Sequence, residues 1–80
     1  MLISFVIPLY QVKKKDFLRC LDSIYRQATQ YDKFEVICVD DCSPDADTSI
    51  YVSEYKINGI APSNLFLVRQ TTRWREKYGY

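Results

Sequence analysis

Two adjacent carboxylates, Asp40 and Asp41, close an apolar run that begins at Phe34, and Cys42, Ser43, Pro44 and Asp45 follow them. Acids side by side repel each other, and such a pair is easiest to sustain where the N–H and hydroxyl donors of a ligand, or a cation, engage it. A structural use fits the same residues: Asp41, Ser43 and Asp45 can build a turn and cap a helix whose first turn Pro44 fixes. On spacing alone the turn is favoured. Further along, Arg69, Arg73 and Arg75 carry guanidinium forks that suit phosphate oxygens, set against the plainer reading of a solvated tail. Cys20, Cys38 and Cys42 are an odd set at spacings unlike a zinc motif, and there is no histidine to complete one. Cys38 reads as a core residue, Cys20 as a half-buried helix residue, and Cys42 as the one thiol placed to react.

The acidic pair matters only if the chain presents it, and the elements around it decide that. Leu2 to Ile7 is a β-rich run ending at Pro8, Phe34 to Val39 repeats it, and Leu65 to Val68 is a shorter third. Near-continuous apolar strands of this kind suit a parallel sheet buried on both faces. Between the first two, Phe17, Leu18, Leu21, Ile24, Tyr25 and Ala28 form one helical stripe within Asp16 to Ala28. A second helix is expected from about Asp45 to Asn58, with Asn58 and Gly59 as its stop. Tyr25, Tyr31, Tyr51 and Tyr55 fall on helix faces and ends, where packing is their expected use.

Strand, helix, strand, helix, strand implies an α/β fold, a three-stranded parallel βαβαβ sheet with right-handed crossovers. If each strand lies beside its predecessor, both helices cover one face. The other face and the first strand's edge are then bare, and this motivates the expectation of a single partial domain over residues 1–80: a βαβαβ unit over 1–68 and a tail over 69–80. Loops at the carboxyl ends of parallel strands converge on one rim, where ligands bind. Pro8 to Gln11, Asp40 to Asp45 and the chain from Arg69 reach it.

Composition narrows the partners. Eighty residues with 48% hydrophobic content make one small globular domain, and a formal net charge of +1 gives no general field for nucleic acid or an acidic membrane. No signal peptide is expected, and no stretch approaches the roughly 20 apolar residues that cross a bilayer. Reduced thiols point to the cytoplasm, with peripheral membrane attachment open for a longer protein.

Three blocks carry a resemblance: Ser4-Phe5-Val6-Ile7-Pro8-Leu9-Tyr10, then Phe17-Leu18-Arg19-Cys20-Leu21-Asp22-Ser23-Ile24, then Phe34 through Asp45. In order and spacing they resemble the opening of family-2 glycosyltransferases, inverting enzymes of the GT-A fold that take a sugar from a nucleotide donor, usually a uridine diphosphate (UDP) sugar. The likeness covers about residues 2 to 68, and three linked blocks are more specific than any one. It implies that this is the nucleotide-binding N-terminal half of a GT-A fold.

In the site the resemblance implies, Pro8 and Tyr10 lie against the nucleotide. Asp41 accepts from the uracil N–H, and Asp40 orients the loop or reaches the ribose. A carboxylate acceptor suits an imide donor, and Tyr10 offers an apolar wall. The acceptor is a saccharide or another hydroxyl compound. A divalent cation, Mg or Mn, is expected for the full-length enzyme, with its ligands and the catalytic base beyond Tyr80. Asp45-Ala46-Asp47 spells the family's Asp-x-Asp metal pattern, but it stands at a helix start, where acids complement the helix dipole. Gln11 replaces the asparagine usual after the tyrosine, and the arginine-rich stretch after Val68 replaces a glycine-containing one.

The expected activity of the 80 residues alone is none. The rival reading is a truncated, non-catalytic interaction module that self-associates or pairs with another chain through its bare face and edge. A dinucleotide-binding or receiver domain fits poorly, since no Gly-x-Gly-x-x-Gly follows the first strand.

Overall fold

The computed structural model describes residues 2–42 and 47–70. Strand β1 (Leu2–Leu9) leads into helix α1 (Lys14–Gln27), which ends in a 3-10 turn (Ala28–Gln30). Strand β2 (Lys33–Asp40), helix α2 (Asp47–Glu54) and strand β3 (Leu65–Arg69) follow. The strands form one parallel sheet in the order β1-β2-β3. This is the expected α/β arrangement, and it is consistent with the N-terminal half of a GT-A fold.

Strand alternation sorts the side chains. Phe5, Ile7 and Leu9, then Phe34, Val36 and Cys38, then Leu65 and Leu67 face the helices, where they meet Phe17 and Leu21 of α1 and Tyr51, Val52 and Tyr55 from α2 and its end. Leu21, Val36 and Cys38 are wholly buried, as the helical stripe and the continuous strand pattern require. On the opposite face the register aligns Val6 with Ile37 and Phe66, and Pro8 with Val39 and Val68. Val6, Phe66 and Val68 are exposed there, so one face of the sheet has no cover among the described residues.

Of the bounds that differ from those expected, three bear on pairing. Pro8 does not end β1, which continues to Leu9 opposite Asp40; an edge strand tolerates a residue without an N–H. Helix α2 is shorter, stopping at Glu54 rather than Asn58. Asn58 and Gly59 instead have φ of 51° and 79° and close a two-residue turn in which Ile57 and Ile60 exchange backbone hydrogen bonds of 2.9 and 3.0 Å. An Asn-Gly pair with both φ positive is the hairpin signal, and here it outweighs the helix-stop reading. Strand β3 runs through Arg69, so that residue belongs to the sheet.

Polar side chains fasten the helical layer. The Tyr55 hydroxyl donates to Asp22 Oδ1 at 2.7 Å, tying the end of α2 to α1. The Tyr25 hydroxyl donates to Asn64 Oδ1 at 2.9 Å, while Asn64 Nδ2 donates to the Phe34 carbonyl at 3.0 Å. Tyr25 also stacks on Tyr55 with ring centroids 5.8 Å apart. Burial, reinforced by the nearby Cys38 thiol, pushes the Tyr25 phenol up to about 12. Burial, then the Asp22 hydrogen bond, pushes Tyr55 up as well. Asp22 is therefore a structural acceptor rather than a plain surface charge.

Candidate functional site

The acidic pair follows the alternation of β2. Asp40 continues the inward series of Val36 and Cys38, and it is fully buried among helix-facing side chains. Its carboxylate Oδ2 accepts from Arg69 Nε at 3.0 Å, across the β2/β3 pairing that sets Asp40 opposite Arg69. Its carbonyl accepts from the Gln70 N–H at 3.0 Å. Asp41 has left the strand and is half-buried, and its N–H donates to the Leu9 carbonyl at 2.7 Å. The ends of all three strands are thus joined at one rim.

On that rim, toward the open face of the sheet, Pro8, Val39, Asp41 and Gln70 line a hollow of about 290 Å³. Two walls are apolar, and two carry polar side chains of complementary kind: a carboxylate that accepts and a carboxamide that donates and accepts. This composition suits a small planar ligand with its own N–H and carbonyl groups. Tyr10 stands in the bend just after β1, more than a third exposed, and is not on the wall of the hollow. Of the expected site residues, then, the structure brings Pro8 and Asp41 together at the hollow, leaves Tyr10 on the adjoining loop, and turns Asp40 inward to Arg69.

Larger grooves of about 360 and 600 Å³ run along α1 beside the end of α2 and the Ile57–Ile60 turn. Asp22 and Tyr55 line both, and these two are already hydrogen-bonded to each other. The smaller hollow is the better candidate, because it lies where parallel-strand loops converge and its polar groups project from strand ends.

The rim loops hold unusual backbone. Gln11 and Cys42 adopt φ of 50° and 58°, a region entered at a cost by residues other than Gly, Asn and Asp. Gln11 accordingly forms a left-handed bend at the position where asparagine was the expected residue. Cys42 sits half-buried beside Asp41, while Cys20 is exposed rather than half-buried. Burial, reinforced by Cys20, pushes the Cys38 thiol up to about 11, so it remains an inert core residue near neutral pH. Asp47 opens α2, in the first turn where an acid complements the helix dipole. Asp45, Arg73 and Arg75 lie outside the described residues. The described residues hold no group of three or more His, Cys, Asp or Glu side chains placed to bind a metal ion. None of their helices is long and apolar enough to cross a membrane.

Two site residues escaped the sequence reading, Gln70 and Arg69 as the partner of Asp40. The signal for both was the register, since continuing β3 by one residue sets Arg69 opposite Asp40 and Gln70 beside Asp41.

The sequence profile described as "Glycosyl transferase family 2" matches residues 4–79, nearly the whole chain. The chain belongs to glycosyl transferase family 2. A poly(ribitol-phosphate) beta-glucosyltransferase of Bacillus spizizenii is 42% identical over 57 residues, which are 70% of this chain and 8% of that protein. The chain therefore corresponds to a small part of this relative's length. No solved structure matches it.

Proposed function

We propose that the rim hollow binds the nucleotide of a nucleotide-diphosphate sugar, most simply a UDP-sugar, and that Asp41 recognises its base. The observation that carries this reading is the position of Asp41: half-buried, beside Pro8 and Val39, at the carboxyl ends of parallel strands. A carboxylate accepts well from an imide N–H, and Pro8 and Val39 offer apolar contact to a ring. Asp40, wholly buried against Arg69, supports the rim from beneath. Tyr10 is assigned to the ribose or the outer edge of the ring, from the neighbouring loop.

In a family enzyme containing this segment, the reaction we propose is single displacement at the anomeric carbon, with inversion. A base takes the proton of the acceptor hydroxyl, which belongs to a saccharide or another alcohol, as its oxygen attacks and the nucleoside diphosphate departs. No described residue is assigned as that base. A Mg or Mn ion is the expected stabiliser of the departing diphosphate, but the described residues do not assemble a site for it, so no step is routed through it. Cytoplasmic placement is part of the proposal and agrees with cysteines held as thiols.

Calorimetric titration of the chain with UDP tests the reading. Binding weakened at least tenfold by Asp41→Ala, with melting in the absence of ligand little changed, is the expected result, since a hydrogen bond to a charged group contributes about 1.5–3 kcal/mol. No heat and no change in melting on adding UDP would overturn it. A second reading, pairing with another protein or a second copy through the open face, is favoured by the exposed Val6, Phe66 and Val68. Sedimentation of the chain shows the self-paired form as a dimer lost on Val6→Lys.

A further inference from the structure

The nucleotide reading uses one of the two polar groups in the hollow. Gln70 follows β3 at the position that extends the β2/β3 register beyond Asp40 and Arg69, so it stands beside Asp41. Both are held through their backbones, Gln70 by its N–H to the Asp40 carbonyl at 3.0 Å and Asp41 by its N–H to the Leu9 carbonyl at 2.7 Å. The Asp40–Arg69 ion pair locks the same strand ends from the helical side. Two residues with polar side chains therefore line one hollow on a rim fixed across three strands. Gln70 is half-buried, and among the described residues its carboxamide makes no hydrogen bond. A half-buried amide with two N–H donors at the wall of a hollow is suited to a ligand carbonyl.

Resting on the nucleotide reading, we infer that Gln70 is a specificity-determining residue: its carboxamide N–H donates to the ring carbonyl beside the imide N–H that Asp41 accepts. The imide edge of uracil runs carbonyl, N–H, carbonyl, and the Asp41 and Gln70 pair supplies the acceptor and donor that match two neighbouring groups on it. Cytosine presents a lone pair at the central nitrogen and an amino group beside it. The Asp41 carboxylate then faces a lone pair, and Gln70 must turn its carbonyl inward. The pair thus selects an imide base, and Gln70 supplies the donor that a carboxylate lacks.

The test is calorimetry with UDP and with cytidine diphosphate (CDP) on the wild-type chain, Gln70→Ala and Gln70→Glu, with a melting curve for each. The wild type is expected to prefer UDP. Gln70→Ala should weaken UDP binding about fivefold, the worth of one neutral hydrogen bond. Gln70→Glu, nearly the same shape, should weaken UDP more than Gln70→Ala does, because a second carboxylate then meets a carbonyl oxygen, and it should weaken CDP less. UDP binding that depends on Asp41 but is unchanged in affinity and in preference over CDP by both Gln70 variants would overturn this inference and leave the nucleotide reading standing. Absence of UDP binding by the wild type overturns both.

Discussion

Removing the Arg69 guanidinium should cost the chain a large share of its stability. The pair is asymmetric: the Asp40 side chain is 0% exposed and that of Arg69 is 41% exposed, with Nε 3.0 Å from Oδ2. Breaking a fully buried ion pair costs about 3–5 kcal/mol, and an exposed pair is worth about 0–1 kcal/mol. With one partner sealed and the other open to water, Arg69→Met should cost about 2 kcal/mol, chiefly because a buried carboxylate loses its cation. A chain of 80 residues holds roughly 4–12 kcal/mol in total. The loss should therefore appear as a fall in Tm of about 8–16 °C and a clear drop in the urea midpoint by circular dichroism. Asp40→Leu with Arg69→Met removes both charges and should recover most of the loss, since an apolar pair avoids the desolvation cost. Arg69→Met within about 0.5 kcal/mol of the wild type, or a double variant no better than the single one, would refute this account of the rim.

Two further predictions concern the helical layer and its turn. Gly59→Ala should destabilise by about 1 kcal/mol, because φ is 79° and no atom lies within 4 Å of an added Cβ, which leaves backbone strain as the whole cost; urea midpoints measure it. Alkaline pH should unfold the chain early. The Cys38 thiol is raised from 9.0 to about 11 and the Tyr25 phenol from 10.0 to about 12, so above the unfolded values the folded chain holds more protons and stability falls as pH rises. That stability is fully present below about pH 9, and its loss runs to about pH 12. Tyr55 is raised in the same direction, so Tyr55→Phe should flatten the pH dependence while lowering stability near neutrality through loss of the Asp22 bond. Midpoints that stay flat from about pH 8 to 11 would contradict the burial argument.

The features readable in the sequence were those set by period. The stripe from Phe17 to Ala28 located α1, the runs at Leu2, Phe34 and Leu65 located the strands, and right-handed crossovers placed both helices on one face. Boundaries were less legible, because they depend on partners. Pro8 stays in β1 because that strand is an edge, and Asn58-Gly59 makes a hairpin turn because Ile60 returns to pair with Ile57. Tyr55 read as packing alone, since its bond to Asp22 spans 33 residues of sequence. Arg69 was hidden for the same reason: beside Arg73 and Arg75 it looks like a tail, and only the register sets it against Asp40.

The same register gives the acidic pair its meaning. Consecutive residues of a strand face opposite sides of the sheet, so Asp40 and Asp41 are not free to serve as equivalents. Inward parity sends Asp40 into the helical layer, where a carboxylate is tolerable only with a counter-charge, and the residue opposite it on β3 is an arginine. The next residue leaves the strand, held by its own N–H to Leu9, and lines the hollow together with Gln70. Burial of one acid thus fixes the rim on which the other is presented. It follows that the two positions should fail differently: Asp40 variants through melting, with binding lost in proportion, and Asp41 variants through binding at nearly unchanged melting temperature.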